Sequence, residues 1–367
     1  MQALILAGGE GTRLRPLTST VPKPVVPLAN RPFISFMIEW LRRHGVEDVI
    51  LSCGFMADEV RAVLGEGDAL GIRLRYVEEP RPLGTGGALR YAGELLEECF
   101  LMLNGDVLAD FDLDAQIRQH ERTGARATIA LVAVEDPSAY GLVKRNPDQS
   151  VSEFLEKPSP DEIDTDLINA GAYVLERSVL DEMAPAGSNI SIERDVFPTL
   201  VDRGLYGFEA SGYWLDIGTP YGYLQGTFDI LEGNVQTELG AQLEDARRVL
   251  ANGSRIDGRL VAPALVADGS KIDAGAIVGG RVVLGAGVEV GEGSHVESSV
   301  LLDGARIGAH TTVRSSIVGA GVRIGAHCHL DAGVVLGEGA ELGDGNVLTA
   351  GARVSPGVML PDGAIRF

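Results

Sequence analysis

The stretch LVAPALVADGSKIDAGAIVGGRVVLGAGVEV (260–290) decides how the C-terminal part of this chain must be read. Leu260, Val266, Ile272, Val278, Leu284 and Val290 recur every six residues, and glycine often follows, as at Gly279, Gly285 and Gly291. A period of six matches neither the helical repeat of about 3.6 nor the strand repeat of about 2. It is the spacing of a parallel β-helix, in which each aliphatic side chain points into a prism and small residues form the corners. The series runs on through Val296 and Leu302, takes five-residue steps from 302 to 307 and from 313 to 318, and resumes with Ile324, Leu330, Leu336, Leu342, Leu348, Val354 and Leu360. The spacing predicts a β-helix over residues 255–367, about six coils at three hexads per coil.

Residues 1–232 alternate short apolar runs with amphipathic ones. ALILAG (3–8) and DVILSCG (48–54) read as buried strands, FISFMIEWLRRHG (33–45) as a helix closed by Gly45, and ECFLMLNGD (98–106) and RATIALVAV (126–134) as later strands. This alternation predicts an α/β domain with a mostly parallel sheet and ligands outside the carboxyl ends of its strands. TPYGYLQGTFDILEGN (219–234) reads as the helix ending that domain, and residues 233–254 as a charged, partly helical connector.

With 367 residues and 45% hydrophobic content the chain suits two ordinary domains. A net charge of -21 disfavours non-specific binding to nucleic acid or anionic membrane. Cys53, Cys99 and Cys328 are odd in number and lack CxxC spacing, which fits reduced thiols better than disulfides or a zinc site. The start MQALILAGG lacks the basic flank of a signal peptide, and no run of about 18 apolar residues occurs, so a cytoplasmic protein is expected.

Within this acidic chain, ILAGGEGTRLRPLTSTVPKP (5–24) is locally basic: Arg13, Arg15, Lys23 and the nearby Arg31 face only Glu10. Glycines directly after a strand let backbone N–H groups approach an anion, and a helix beginning there would add its positive end. The segment from Gly9 to Leu14 lacks the third glycine of a dinucleotide fingerprint and is not a GxxxxGK[ST] loop. The reading is phosphate binding by another scheme.

Gly8-Gly9-Glu10-Gly11-Thr12-Arg13-Leu14-Arg15-Pro16-Leu17, followed by Pro22-Lys23-Pro24, resembles the signature of the sugar-1-phosphate nucleotidyltransferases. LGTGGAL (83–89), LNGD (103–106), YGLV (140–143), FLEKP (154–158), NAGAYV (169–174), SIERDVFP (191–198) and YWLDIGTP (213–220) follow in that family's order. The last two look most like the mannose-1-phosphate guanylyltransferases of the eukaryotic and actinobacterial type. The resemblance implies a Rossmann-like nucleotidyltransferase domain followed by a left-handed β-helix, the handedness coming from the resemblance and not from the period. It also implies transfer of a nucleotidyl group from a nucleoside triphosphate to a sugar-1-phosphate, with GTP and mannose-1-phosphate favoured. A thymidylyl- or uridylyltransferase acting on glucose-1-phosphate is the alternative within the class.

In this reaction an anionic phosphate oxygen attacks the α-phosphorus in line, so charge neutralisation outweighs any need for a strong base. Asp106, at the end of an apolar strand, and Asp216, after Trp214-Leu215, are carboxylates of the kind that hold Mg²⁺. Arg13 and Lys23 are expected on the triphosphate. Arg15 either assists them or pairs on the surface.

By resemblance, Leu6, Ala7, Gly8, Gly9, Gly11, Thr12, Gly84 and Asp106 line the nucleotide. Lys157 and Asp216 face the sugar phosphate, while Gly141, Glu156 and Asn169 meet the sugar. Guanine presents adjacent donors, N1–H and N2–H₂, which an acceptor-only carboxylate can take together. Glu79 is the candidate for that contact, with Glu78 an equal rival in register.

Hexapeptide β-helices also build acyltransferases that use a histidine, and His295, His310, His327 and His329 lie in this half. No long loop interrupts the repeats to build an acceptor site, so a homo-oligomer interface or an effector site is the better expectation. The terminal MLPDGAIRF (359–367) is a candidate for packing against the catalytic half. A non-catalytic nucleotide-sugar sensor is a third class, but Arg13, Lys23, Asp106, Lys157 and Asp216 are all present.

Overall fold

The computed structural model describes residues 1–246, 249–251 and 253–366. They divide into two compact units that are not sequential: Met1–Gly9 with Ile34–Trp214, and Glu10–Phe33 with Leu215–Phe367.

The first unit is built on a nine-stranded sheet. Its strands are β1 (Gln2–Leu6), β2 (Asp48–Cys53), β3 (Arg73–Glu78), β4 (Cys99–Asn104), β5 (Ala127–Ala133), β6 (Gly141–Arg145), β7 (Val151–Glu156), β8 (Leu167–Glu176) and β9 (Leu205–Glu209). The order is β7-β6-β8-β4-β1-β2-β3, with β5 on β8 and β9 on β5. The β3-β2-β1-β4 block is parallel, with Ala3 opposite both Val49 and Leu101. Ala3, Leu4 and Ile5 are fully buried, as continuous apolar strands covered on both faces require. Helix α1 (Phe33–Arg43) is the expected one, and the chain leaves it through Gly45 at φ 73°.

Parallel strands place their carboxyl ends along one edge, so Ala7 to Gly9, Gly54 and Glu79 follow directly on strand ends and Asp106 lies two residues past one. Strand β8 runs antiparallel to β4, with Ala172 opposite Leu103, which brings its irregular stretch to that edge. The irregularity is a bulge against β5 between Asn169 and Tyr173, and bulges re-aim side chains.

In the second unit three parallel sheets of seven, seven and six short strands form the arrangement of a left-handed β-helix. The predicted aliphatic series fills its core, with one correction. Leu301 is fully buried in the prism's apolar core, whereas Leu302, 9% exposed, lies outside that cluster. The cross-coil register explains it, because Leu284 pairs with Leu301 and Leu301 with Val318. The first five-residue step therefore runs from Val296 to Leu301 and not from Leu302 to Ile307. The first strand of the prism, Val249–Ala251, precedes residue 255 and pairs with Ala264–Val266.

The helix Pro220–Glu232 is capped by the Thr219 hydroxyl, which accepts from the Gly222 amide, and ends at Gly233 with φ 77°. A second helix, Glu238–Asp245, precedes the prism. The terminal segment lies on the prism, where the Val347 amide donates to the Ile365 carbonyl at 2.8 Å and Ile365 packs against the core. Phe367 lies outside the described residues. His295 and His329 are on the outer surface, 38% and 42% exposed, and the exposed rings of His310 and His327 stack at 5.4 Å.

Burial pushes the thiols of Cys53 and Cys99 up to about 12, so both are inert at neutral pH. No helix among the described residues is long and apolar enough to cross a membrane.

The register makes a direct prediction for stability. Leu301→Ala leaves a cavity in the prism core and costs about 2–5 kcal/mol, whereas Leu302→Ala costs clearly less. Paired chemical denaturation curves check this, and an equal loss at the two positions would contradict the register.

Candidate active site

In the first unit the glycine loop is held by its neighbours' backbones. The Ala7 amide donates to the Ser52 carbonyl at 2.8 Å, and the Gly105 amide donates to the Leu6 carbonyl at 2.9 Å. A Cβ on Gly105 would fall 2.4 Å from the Leu6 oxygen, and one on Gly54 would fall 3.1 Å from the Gly8 oxygen. A Cβ on Gly8 would lie 2.7 Å from Glu79 Oε1. Backbone packing therefore demands glycine at Gly105, while Gly8 and Gly54 have little room for a side chain unless Glu79 or the loop shifts. Gly9 has nothing within 4 Å of where its Cβ would be, so the protein's own packing gives no reason for glycine there.

Glu79 and Glu78 have different environments. Glu78 ends β3 and is exposed. Glu79 turns in under the loop: Ser52 Oγ donates to its Oε1 at 3.1 Å, and the Leu83 amide donates to its Oε2 at 3.1 Å. Burial pushes its carboxyl above the ordinary range, opposed by these two donors. Gly84, expected at the nucleotide, opens the helix Gly84–Ala92 at φ 74°, and a Cβ there would meet the Ile190 carbonyl at 2.5 Å. The amides of Gly86 and Gly87 donate to that same carbonyl, so this first turn is occupied by the protein itself.

A second group of residues gathers around β6, β7 and β8. A Cβ on Gly141 would fall 2.9 Å from Glu156 Oε2. Burial raises the Glu156 carboxyl, and the like charge of Glu193 raises it further, against the pull of Arg194 and Lys157. Glu193 is held by Thr85 and Ser191, whose hydroxyls donate to its Oε2 at 2.6 and 2.7 Å. Asn169 is fixed at both ends of its amide, accepting from the Gly171 amide at 3.0 Å and donating to the Tyr173 hydroxyl at 2.9 Å. Tyr140 and Trp214 meet edge to face at 5.5 Å, and Trp214 Nε1 donates to the Ala170 carbonyl at 2.8 Å. Lys157 is exposed and adopts φ 56°, a backbone state that non-glycine residues hold at a cost of order 1–3 kcal/mol. Asp106, two residues past β4, is half-buried, and the buried Oδ1 of Asn104 beside it in sequence has no hydrogen-bond partner.

In the second unit the signature loop differs from expectation. The chain does not enter an α-helix after the glycines, because Gly11 turns it at φ 61° and a single 3₁₀ turn, Thr12–Leu14, follows. Pro16 explains the stop, since the residue before a proline is pushed out of the helical region, and Arg15 sits at φ −55°, ψ 142°. Positive charge here comes from side chains instead of a helix end. Lys23 is only 8% exposed, and its stem passes Gly11 so closely that a Cβ there would lie 3.1 Å from Lys23 Cβ. Arg13 donates to Asp216 Oδ2 at 3.2 Å, and the Gly218 amide donates to Asp216 Oδ1 at 2.7 Å. Arg13 is 59% exposed and Asp216 only 15%. Arg15 pairs on the surface with Glu10 at 2.8 Å.

This inventory can be set beside known proteins. The nucleotidyl transferase family matches residues 2–233, and a GMPPB C-terminal domain matches residues 260–362. The chain belongs to the nucleotidyl transferase family. It is 39% identical to a mannose-1-phosphate guanylyltransferase of Mycobacterium tuberculosis over 83% of this chain and 80% of that one. It is 41% identical to mannose-1-phosphate guanyltransferase beta-A of Xenopus laevis over 62% of this chain and 63% of that one. Among solved structures, HddC of Yersinia pseudotuberculosis in complex with GMP-PN aligns with a TM-score of 0.54 at 29% identity, covering 62% of this chain and 97% of that one.

Nucleotidyl transferases move a nucleotidyl group to a sugar-1-phosphate and commonly use a divalent metal. Asp106 in the first unit and Asp216 in the second are each half-buried carboxylates, the hard oxygen donors that such an ion takes. Among the described residues, two other groups have ligand atoms within 4.8 Å of one another: Cys99, His120 and Glu176, and His44, Asp112 and Asp114. Neither includes Asp106 or Asp216.

The residues that sequence reasoning missed are Glu193, Tyr173 and Asn104. All three lie inside the quoted motifs SIERDVFP, NAGAYV and LNGD, so the motifs were the available signal. Their packing against Glu156 and Asn169 was not readable.

The raised carboxyl of Glu156 yields a prediction. A carboxylate whose folded pKa lies above its unfolded value binds more protons in the folded state, so it destabilises the fold as pH rises through that window. Glu156→Gln is therefore expected to raise Tm at neutral pH. The gain disappears below the ordinary glutamate range, and Tm against pH for both proteins checks it.

Proposed function

We propose that this nucleotidyl transferase makes GDP-mannose and pyrophosphate from GTP and mannose-1-phosphate. The observation that carries the choice of base is the Glu79 carboxylate, turned in beneath Gly8 and held by Ser52 and Leu83. Each oxygen retains a second lone pair, and two acceptors side by side suit the adjacent N1–H and N2–H₂ donors of guanine. Thymine and uracil, which alternate donor and acceptor, would present a carbonyl to a carboxylate. The similarity to named mannose-1-phosphate guanylyltransferases points the same way.

In this reading Leu6 to Gly9, Gly11 and Thr12 supply the surface against which the triphosphate lies. Gly9 allows close approach because no protein atom fills the space of its missing side chain. A phosphate oxygen of mannose-1-phosphate attacks the α-phosphorus, the bond to the bridging oxygen breaks, and pyrophosphate leaves with the electron pair. Arg13 and Lys23 stabilise the charge that moves onto the leaving group. Lys157 screens the repulsion between the two anionic reactants. Glu156 and Asn169 hold sugar hydroxyls, with Gly141 giving backbone approach. Asp106 and Asp216 would each offer a carboxylate to Mg²⁺, which when bound would neutralise phosphate oxygens. We further place the protein in the cytoplasm, where its free cysteines stay reduced, as a homo-oligomer formed through the β-helix.

Pyrophosphate release is measured with GTP, dTTP, UTP, ATP and CTP, each against mannose-1-phosphate and glucose-1-phosphate. The highest kcat/KM is expected for GTP with mannose-1-phosphate. A maximum for dTTP or UTP with glucose-1-phosphate overturns the substrate reading, and no release with any pair overturns the catalytic one. EDTA is expected to abolish turnover and Mg²⁺ to restore it, while Arg13→Ala lowers kcat about 10²–10³-fold. Glu79→Gln is expected to erode the preference for GTP over the other triphosphates, and a preference left intact assigns Glu79 to the scaffold.

A further inference from the structure

Two carbonyls of the signature loop are held by a side chain about 340 positions further along the chain. Arg353, in the last coil of the prism, donates from Nη1 to the Arg13 carbonyl at 3.1 Å and to the Arg15 carbonyl at 2.8 Å. The same segment is fastened near its other end, where Asn30 Nδ2 donates to the Leu284 carbonyl at 2.8 Å. Asn30 is presented by a tight hairpin between Pro27–Leu28 and Arg31–Pro32, with Ala29 at φ 45° and Asn30 at φ 60°. Leu284 and Arg353 lie on strands of one and the same sheet of the prism. Residues Glu10–Phe33, which carry Arg13 and Lys23, belong to the same compact unit as that sheet.

We infer that Arg353 is a positioning residue for nucleotidyl transfer. It acts through the loop backbone and touches none of the reacting atoms. The loop between Gly8 and Pro16 has no regular structure beyond a single 3₁₀ turn, so the direction of the Arg13 side chain depends on what holds its backbone. The Arg13 side chain is 59% exposed and reaches Asp216, so the placement of its backbone sets where the guanidinium can extend. A guanidinium nitrogen with two N–H groups reaches two carbonyls of the loop at once with charge-assisted bonds, which a lysine ammonium on a flexible stem does less well. The last coil of the β-helix is thereby part of the catalytic apparatus. A misplacement of about 1 Å at a group that meets the triphosphate can cost about 10²-fold in rate. The inference rests on the reading in which Arg13 meets the nucleotide, and the experiment separates the two.

Arg353→Ala and Arg353→Lys are made in the full chain, with thermal melts to establish that each is folded. Hydrogen exchange of the Leu14 and Arg15 amides reports the loop whatever the substrate. Pyrophosphate release is followed with whichever triphosphate and sugar phosphate the parent protein uses best. Faster exchange at these amides is expected in Arg353→Ala, with kcat/KM for the triphosphate down about 10- to 100-fold and KM for the sugar phosphate unchanged. Partial recovery is expected in Arg353→Lys and on adding guanidinium ion at millimolar concentration to Arg353→Ala. Unchanged exchange overturns the inference irrespective of which nucleotide is used. Faster exchange with unchanged kcat/KM also overturns it, because Arg353 is then a structural tie without catalytic consequence. A parent protein that prefers another substrate pair defeats the reading of Glu79 and leaves this test intact.

Discussion

A backbone that must lie close to phosphate can carry few side chains, and a backbone without side chains cannot hold itself in place. The glycine-rich loop that we propose faces the triphosphate borrows its order from its surroundings. On the sheet side, carbonyls of Leu6 and Ser52 and the carboxylate of Glu79 define where Ala7, Gly8 and Gly105 lie. Beyond Gly9 the Thr18 hydroxyl donates to the Gly11 carbonyl at 2.8 Å, and Arg353 holds the Arg13 and Arg15 carbonyls. No helix dipole contributes, because Pro16 ends the turn before a helix can start. The charge that the loop offers an anion is therefore carried by Arg13 and Lys23.

Electrostatics is arranged differently around β6, β7 and β8 of the first unit. Glu156 and Glu193 are brought near one another, and burial adds to their mutual repulsion. Such an arrangement costs stability, and the Thr85 and Ser191 hydroxyls hold the Glu193 carboxylate in place. Strain at Lys157 belongs to the same region. Sites that bind a polar ligand commonly carry such local costs, since the ligand replaces the solvation that the fold removed.

The β-helix is a scaffold whose regularity has a simple origin. Each coil adds aliphatic side chains to a continuous core, and each strand pairs with the one above it in register. Shortening a coil by one residue shifts the phase without breaking the pairing, as Leu284, Leu301 and Val318 illustrate. A rigid prism of this kind can fasten a distant loop at two points along one sheet, which a flexible tail could not do.

The period of six by itself determined the prism, and the order of apolar runs determined a mostly parallel sheet. Both are local patterns repeated many times, so the loss of one position does not obscure them. The signature motifs determined the family and named the candidate residues, because they hold glycine, arginine and aspartate at fixed spacing. Tertiary structure decided which of two adjacent glutamates turns inward, since Glu78 completes β3 and Glu79 accepts the Ser52 and Leu83 donors. It also decided which leucine enters the prism, through cross-coil pairing that a count of sixes cannot supply. Above all it decided that Arg353 holds the Arg13 carbonyl, because residues so far apart in sequence meet only after every coil between them has formed.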